Sequence, residues 1–199
     1  MYTKLCIICL LYLGFQSCNN KPSQSQTRAE AMAPENTDTG HGVDPGVFPE
    51  IDSINLNSTY VNTRYGFYLS FPTTEVNMES ESDSRDGCIF FTTNNKELGR
   101  VYRVVNTDPE AGSISLKKEL ESDLSYFRKQ GYGQPVEDVY SSLAKTFYVA
   151  SAKVNNKIYY RKGILLDGDE MGKVIFQYDE QQKAKYDLIV AAMANSFHK

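Results

Sequence analysis

Three consecutive segments in the second half of the chain constrain its fold most: KTFYVASAKV (145–154), KIYYRKGILL (157–166) and KVIFQY (173–178). Each has the length and the aromatic and β-branched content of a strand. Asn155-Asn156, a good two-residue hairpin turn, separates the first two, and LDGDEMG leads the chain into the third. Side chains alternate between the two faces of a strand. Here both faces are bulky: Phe147 and Val149 against Tyr148, Ile158 and Tyr160 against Tyr159, Val174 and Phe176 against Ile175. A sheet with one wet face would alternate apolar and polar residues. This sheet needs cover on both faces.

Two segments can supply the cover. Between Ser113 and Gln130, Leu116, Leu120, Leu124 and Phe127 recur at helical spacing, and Gly131 is a natural stop. From about Glu180 to Phe197, Tyr186, Ile189, Val190, Met193 and Phe197 form one apolar stripe, with Asp179 and Gln182 as a capping-box pair at its start. Upstream, TYVN and GFYLSFP read as short strands divided by a turn near Arg64–Gly66, and Pro72 ends the second. NMESESDSRDG (77–87) reads as an acidic loop, and CIFFT (88–92) and RVYRVVN (100–106) as further strands. The expected class is α+β, a mainly antiparallel sheet flanked by helices on both faces.

Three of these stretches, RYGFYLSFP, NNKIYYRKGILL (with Ile158, Tyr160 and Lys162 in an Ile-x-Tyr-x-Lys pattern) and YDLIVAAMANSF, resemble PsbP-like domains. The resemblance covers about residues 58–199. It implies the α/β/α sandwich of that family and a tendency to bind partners as a non-enzymatic scaffold. It carries over no functional residues.

The N-terminus reads as an address. Lys4 precedes an 11-residue apolar core, Leu5–Phe15, too short to span a bilayer, and the chain turns polar after Cys18. Phe15, Gln16, Ser17 and Cys18 stand where bacterial lipoproteins carry their lipobox; Ser17 and Cys18 fit it, while Phe15 replaces the common Leu and Gln16 is atypical. That resemblance implies that residues 1–17 are a lipoprotein signal peptide and that Cys18 becomes an acylated N-terminus. With Asn19 next, it also implies an outer-membrane destination. Two or three acyl chains hold a protein to membrane lipid where one would not. The alternative is an ordinary signal peptide with an incidental cysteine. Residues 18–57 then form the lipid anchor and a linker rich in Asn, Ser, Thr, Pro and Gly, with a reach of about 35 Å. Its last stretch, Val47–Leu56, carries Phe48, Ile51, Ile54 and Leu56 and is placed to dock on the domain as a strap.

Charge and cysteine usage exclude several classes of function. The chain holds 21 basic and 25 acidic residues, of which three and six precede residue 58. The remaining domain is near neutral, without the basic footprint of a nucleic-acid partner. Of the four cysteines, Cys6 and Cys9 lie in the apolar core of the signal, where their CxxC spacing carries no redox or zinc meaning. With Cys18 acylated, Cys88 has no partner for a disulfide.

Candidate sites remain few. Cys88 could serve as a nucleophile only with a base, and His198 is the domain's one histidine. A structural cysteine is the plainer reading. Glu79, Glu81, Asp83 and Asp86 lack the glycine and glutamate positions of a calcium loop, and Asp167, Asp169 and Glu170 suit a tight turn. His41 reads as a solvated linker residue. Tyr159, Tyr160, Arg161 and Lys162 are the possible ligand or partner contact, since aromatics beside cations grip planar or anionic groups. The plainer reading is a strand whose long cations snorkel past its covering helices.

The expectation is a non-enzymatic envelope lipoprotein: a binding or assembly module with no cofactor and no metal, meeting an envelope protein or a small ligand. The alternatives are a small-ligand carrier, which needs a deep apolar cavity, and a hydrolase using carboxylates or Cys88.

Overall fold

The hairpin at Asn155-Asn156 lies inside a seven-stranded antiparallel sheet. The computed structural model describes residues 53–79, 83–105, 113–167 and 169–199, all within one compact unit. The signal, Cys18, His41, Glu81 and the first part of the strap lie outside the described residues. In chain order the strands are β1 (Ser58–Asn62), β2 (Phe67–Phe71), β3 (Val76–Glu79), β4 (Gly87–Thr92), β5 (Glu97–Val105), β6 (Glu137–Leu143), β7 (Phe147–Val154), β8 (Lys157–Leu165) and β9 (Glu170–Asp179). The helices are α1 (Leu116–Gln130), between β5 and β6, and α2 (Lys183–Ser196), after β9. β1 and β2 form a separate hairpin, and the large sheet runs β3-β4-β5-β9-β8-β7-β6.

Local chemistry explains the connections. Asn155 and Asn156 both take positive φ, 50° and 60°, as a tight hairpin requires. Asn155 also donates from Nδ2 to the Gln130 carbonyl at 2.9 Å, tying this turn to the end of α1. Ser115 caps α1 by accepting from the Lys118 N–H, Glu119 sits in its first turn, and Arg128 and Lys129 sit in its last.

Three expectations change. The capping box at Asp179 and Gln182 is absent: the chain enters α2 through a 3-10 turn, Glu180–Gln182, and Asp179 makes no capping bond. The Asp179 carboxylate instead meets Lys96 at 3.3 Å. Residues 77–79, read as loop, belong to strand β3, and β6 lies in a stretch that showed no strand pattern. Both are edge strands: β3 buries only Val76 and β6 buries none of its residues, so neither leaves an alternating signal.

Alternate residues of β8 feed two cores. Ile158, Tyr160 and Ile164 join a core built with β2, β4, β9 and α2, in which Phe67, Leu69, Phe90, Phe176, Met193 and Phe197 are almost fully buried. Ile54 and Leu56, from the strap, pack against the same core. Tyr159 and Leu165 join a second core with Leu116, Leu120 and Phe127 of α1 and with Tyr148, Ala150, Ala152 and Met171. Burying each such apolar side chain contributes about 1.5–3 kcal/mol.

Candidate functional site

β8 divides the Tyr159-Tyr160-Arg161-Lys162 group in two. Tyr160 and Lys162 point to the α2 side and Tyr159 and Arg161 to the α1 side, as their register with β9 requires: Tyr160 pairs with Phe176 and Arg161 with Ile175. Lys162 does not snorkel to solvent. Its Nζ donates to the Ala194 carbonyl at 2.7 Å and the Phe197 carbonyl at 3.3 Å, capping the C-terminus of α2. Burial pushes this ammonium down to about 8. Burial also raises the Tyr160 phenol, so it stays neutral.

On the other side, Arg161 meets a buried carboxylate. Asp123 of α1 is 1% exposed and accepts from Arg161 Nη1 at 2.7 Å, Lys173 Nζ at 2.8 Å and the Tyr148 hydroxyl at 2.6 Å. Glu119, one helical turn earlier, meets Lys173 at 3.5 Å. Two carboxylates thus face two cations, and the network is balanced. Its placement follows from register. Tyr148, Gly163, Lys173 and Tyr102 form one row across β7, β8, β9 and β5. Gly163 leaves the gap through which the Tyr148 ring passes: a Cβ there would lie 2.3 Å from Tyr148 Cε1. Burial, followed by the Asp123 charge and hydrogen bond, pushes the Tyr148 hydroxyl far above its ordinary range.

α1 packs on β6, β7 and β8. Beyond its edge the same face of the sheet forms a shelf, where Ile89, Tyr102, Ile175 and Gln177 are partly exposed and Arg100 is exposed. Two clefts open there and share Ile175. One, of about 250 Å³, lies between α1 and the sheet and is lined by Tyr126, Tyr159, Arg161 and Gln177. The other, of about 380 Å³, is lined by Ile89, Arg100 and Tyr102 and by the start of β4. The cations around them already have partners. Arg161 lies over the Tyr126 ring at 4.0 Å while it bonds Asp123, and Arg100 grips Glu97 at 2.7–2.9 Å. Burial raises the Tyr102 and Tyr159 phenols. The shelf offers aromatic and aliphatic surface, neutral hydroxyls and charge-balanced guanidinium groups.

The remaining candidates fall elsewhere. Cys88 is buried at 3% exposure and borders the larger cleft, which no histidine among the described residues lines. His198 is exposed near the end of the chain; its ring stacks on Tyr68 at 5.4 Å and its Nδ1 lies 2.6 Å from the Ser196 carbonyl oxygen. Asp86 accepts a hydrogen bond from Tyr65, Glu170 takes Arg103 at 2.6 Å, and Asp167 takes Lys199 at 2.6 Å. Among the described residues, no three His, Cys, Asp or Glu side chains gather as metal ligands, and no helix is long and apolar enough to cross a membrane.

Sequence reasoning passed over Asp123, which carries the network. It falls seven residues after Leu116 and three after Leu120, on the stripe that α1 buries. A charge within such a stripe is the signal that could have found it.

No family model matches the chain, and neither does any curated protein sequence. Among solved structures, the chain is similar to the solution structure of cyanobacterial PsbP (CyanoP) from Synechocystis sp. PCC 6803, with 10% identity and a TM-score of 0.48, over 71% of this chain and 91% of that one.

Proposed function

We propose that the chain is a lipid-anchored, non-catalytic binding module of a bacterial cell envelope. Acylated Cys18 holds it to the periplasmic face of the outer membrane, the linker up to residue 57 gives the domain reach, and the domain presents its shelf to an envelope protein. The fold is read as a PsbP-like sandwich in which α1 and α2 cover opposite faces of one sheet. The split of β8 between two cores supports that reading.

The observation that carries the function is the half of the sheet beside α1 that no helix among the described residues covers. It joins partly exposed Ile89, Tyr102 and Ile175 to the Arg161–Tyr126 stack, and its charges are matched within the domain. Aromatic and arginine anchors of this kind concentrate binding energy in protein interfaces. Clefts of about 250 and 380 Å³, small for ligand pockets and sharing one isoleucine, suit a docked surface better than an enclosed small molecule.

The anchor and the shelf are tested separately. In detergent phase separation the native protein partitions with detergent, and Cys18→Ala moves it to the aqueous phase. A native protein found in the aqueous phase would remove the anchor. In crosslinked native membranes, Ile175→Glu lowers recovery of a reproducible protein partner by about tenfold or more, the loss expected for a central contact. Unchanged recovery would remove the shelf.

A further inference from the structure

The two edges of the large sheet are built differently. β3 has only four residues and ends in the exposed Glu79, which blunts its edge. At the opposite edge, β6 runs for seven residues, and its stretch Val139-Tyr140-Ser141-Ser142-Leu143 holds no charge and no proline. Val139 is 55% exposed, Tyr140 42% and Leu143 48%. Among the described residues no strand pairs with the outer side of β6.

The ladder with β7 fixes which backbone groups face outward. Ala144 N–H donates to the Phe147 carbonyl at 2.8 Å, and Ser142 lies opposite Val149 and Tyr140 opposite Ser151. Bonded pairs alternate along an antiparallel ladder, so Tyr140, Ser142 and Ala144 bond β7. Ser141 and Leu143 then point their N–H and C=O groups away from the sheet, while Asp138 and Val139 form the bulge between Glu137 and Tyr140.

We propose that this edge pairs with β6 of a second copy of the chain, antiparallel about a two-fold axis at Ser141. That register makes the strand complementary to itself. Ser141 meets Ser141 of the second copy with outward donors facing outward acceptors, and Val139 meets Leu143. Neighbouring strands lie about 4.8 Å apart, so two helices centred over β7 of each copy would stand about 14 Å from one another. Helices are about 10–12 Å across, so they fit side by side, with Val139 and Leu143 filling the floor between them. The shelf lies beyond α1 from this edge and stays open in the dimer.

Cysteine pairing in the full chain tests the register. With Ser141→Cys, the two Cα atoms come within about 5.5 Å across the axis, inside the span of a disulfide. With Ser142→Cys they stand about 8 Å apart, beyond that span. Under mild oxidation Ser141→Cys should run as a covalent dimer, while Ser142→Cys should give no more dimer than the native chain. Ser141→Pro removes only an outward N–H, so it should leave the fold intact and turn the dimer into a monomer by sedimentation in density-matched detergent. Equal crosslinking at 141 and 142, or none at 141, would overturn the proposal. So would a monomeric native chain whose Ser141 amide is protected from exchange, because another segment or partner would then hold the edge.

Discussion

Asp123 is held by three donors, and the energetics follow from its burial. Removing one partner of a buried ion pair leaves an uncompensated charge, at about 3–5 kcal/mol. Asp123→Ala strands Arg161 and leaves Lys173 with only the longer contact to Glu119. The expected result is a loss of that size in urea unfolding, with an unchanged denaturant slope. A loss below about 1 kcal/mol would mean the network adds little beyond a surface pair. The Tyr148 hydroxyl gives a second reading of the same site. Its folded pKa lies far above the unfolded value of 10.0, so its contribution is complete below pH 10 and is lost as pH rises above it. Tyr148→Phe should therefore make stability fall less steeply above pH 10, by about 1.4 kcal/mol per pH unit.

At the scale of elements, Lys162 joins β8 to the end of α2. Burial pushes its folded pKa down to about 8 from 10.5. Between those values the unfolded chain binds a proton that the folded chain does not, so this group makes stability rise with pH across that window. The stability of the native protein minus that of Lys162→Met should grow from pH 8 to 10.5, at up to about 1.4 kcal/mol per unit. A flat difference would place the ammonium in water. Amide exchange at the α2 C-terminus should also quicken in Lys162→Met.

The elements legible in the sequence are those with a buried face. β7, β8 and β9 announced themselves because both of their faces are packed, and α1 because Leu116, Leu120 and Phe127 recur on one stripe. β3 and β6 left no pattern because edge strands bury almost nothing. The four-residue group on β8 was visible as a cluster, but alternation sends Tyr159 and Arg161 to the shelf side and Tyr160 and Lys162 to the α2 side. The other half of each site comes from residues distant in sequence, Asp123 and Tyr126 on α1 and the carbonyls of Ala194 and Phe197, which only the fold brings near.

For the whole molecule, a proposed tether at Cys18 joins a domain whose shelf cations, Arg100 and Arg161, are paired within the domain and whose sheet beside α1 no helix among the described residues covers. In such a design the domain supplies contact and the anchor supplies place. The two can fail independently, since Cys18→Ala should release the protein from membrane without altering the shelf. The most direct measurement is a photo-crosslinking side chain placed at Gln177 on the shelf, and separately at Lys117 on the exposed side of α1, in the full chain in its native membrane. The account predicts a reproducible adduct with another envelope protein from position 177 and none from position 117. Equal adducts at both positions, or none at 177, would contradict it.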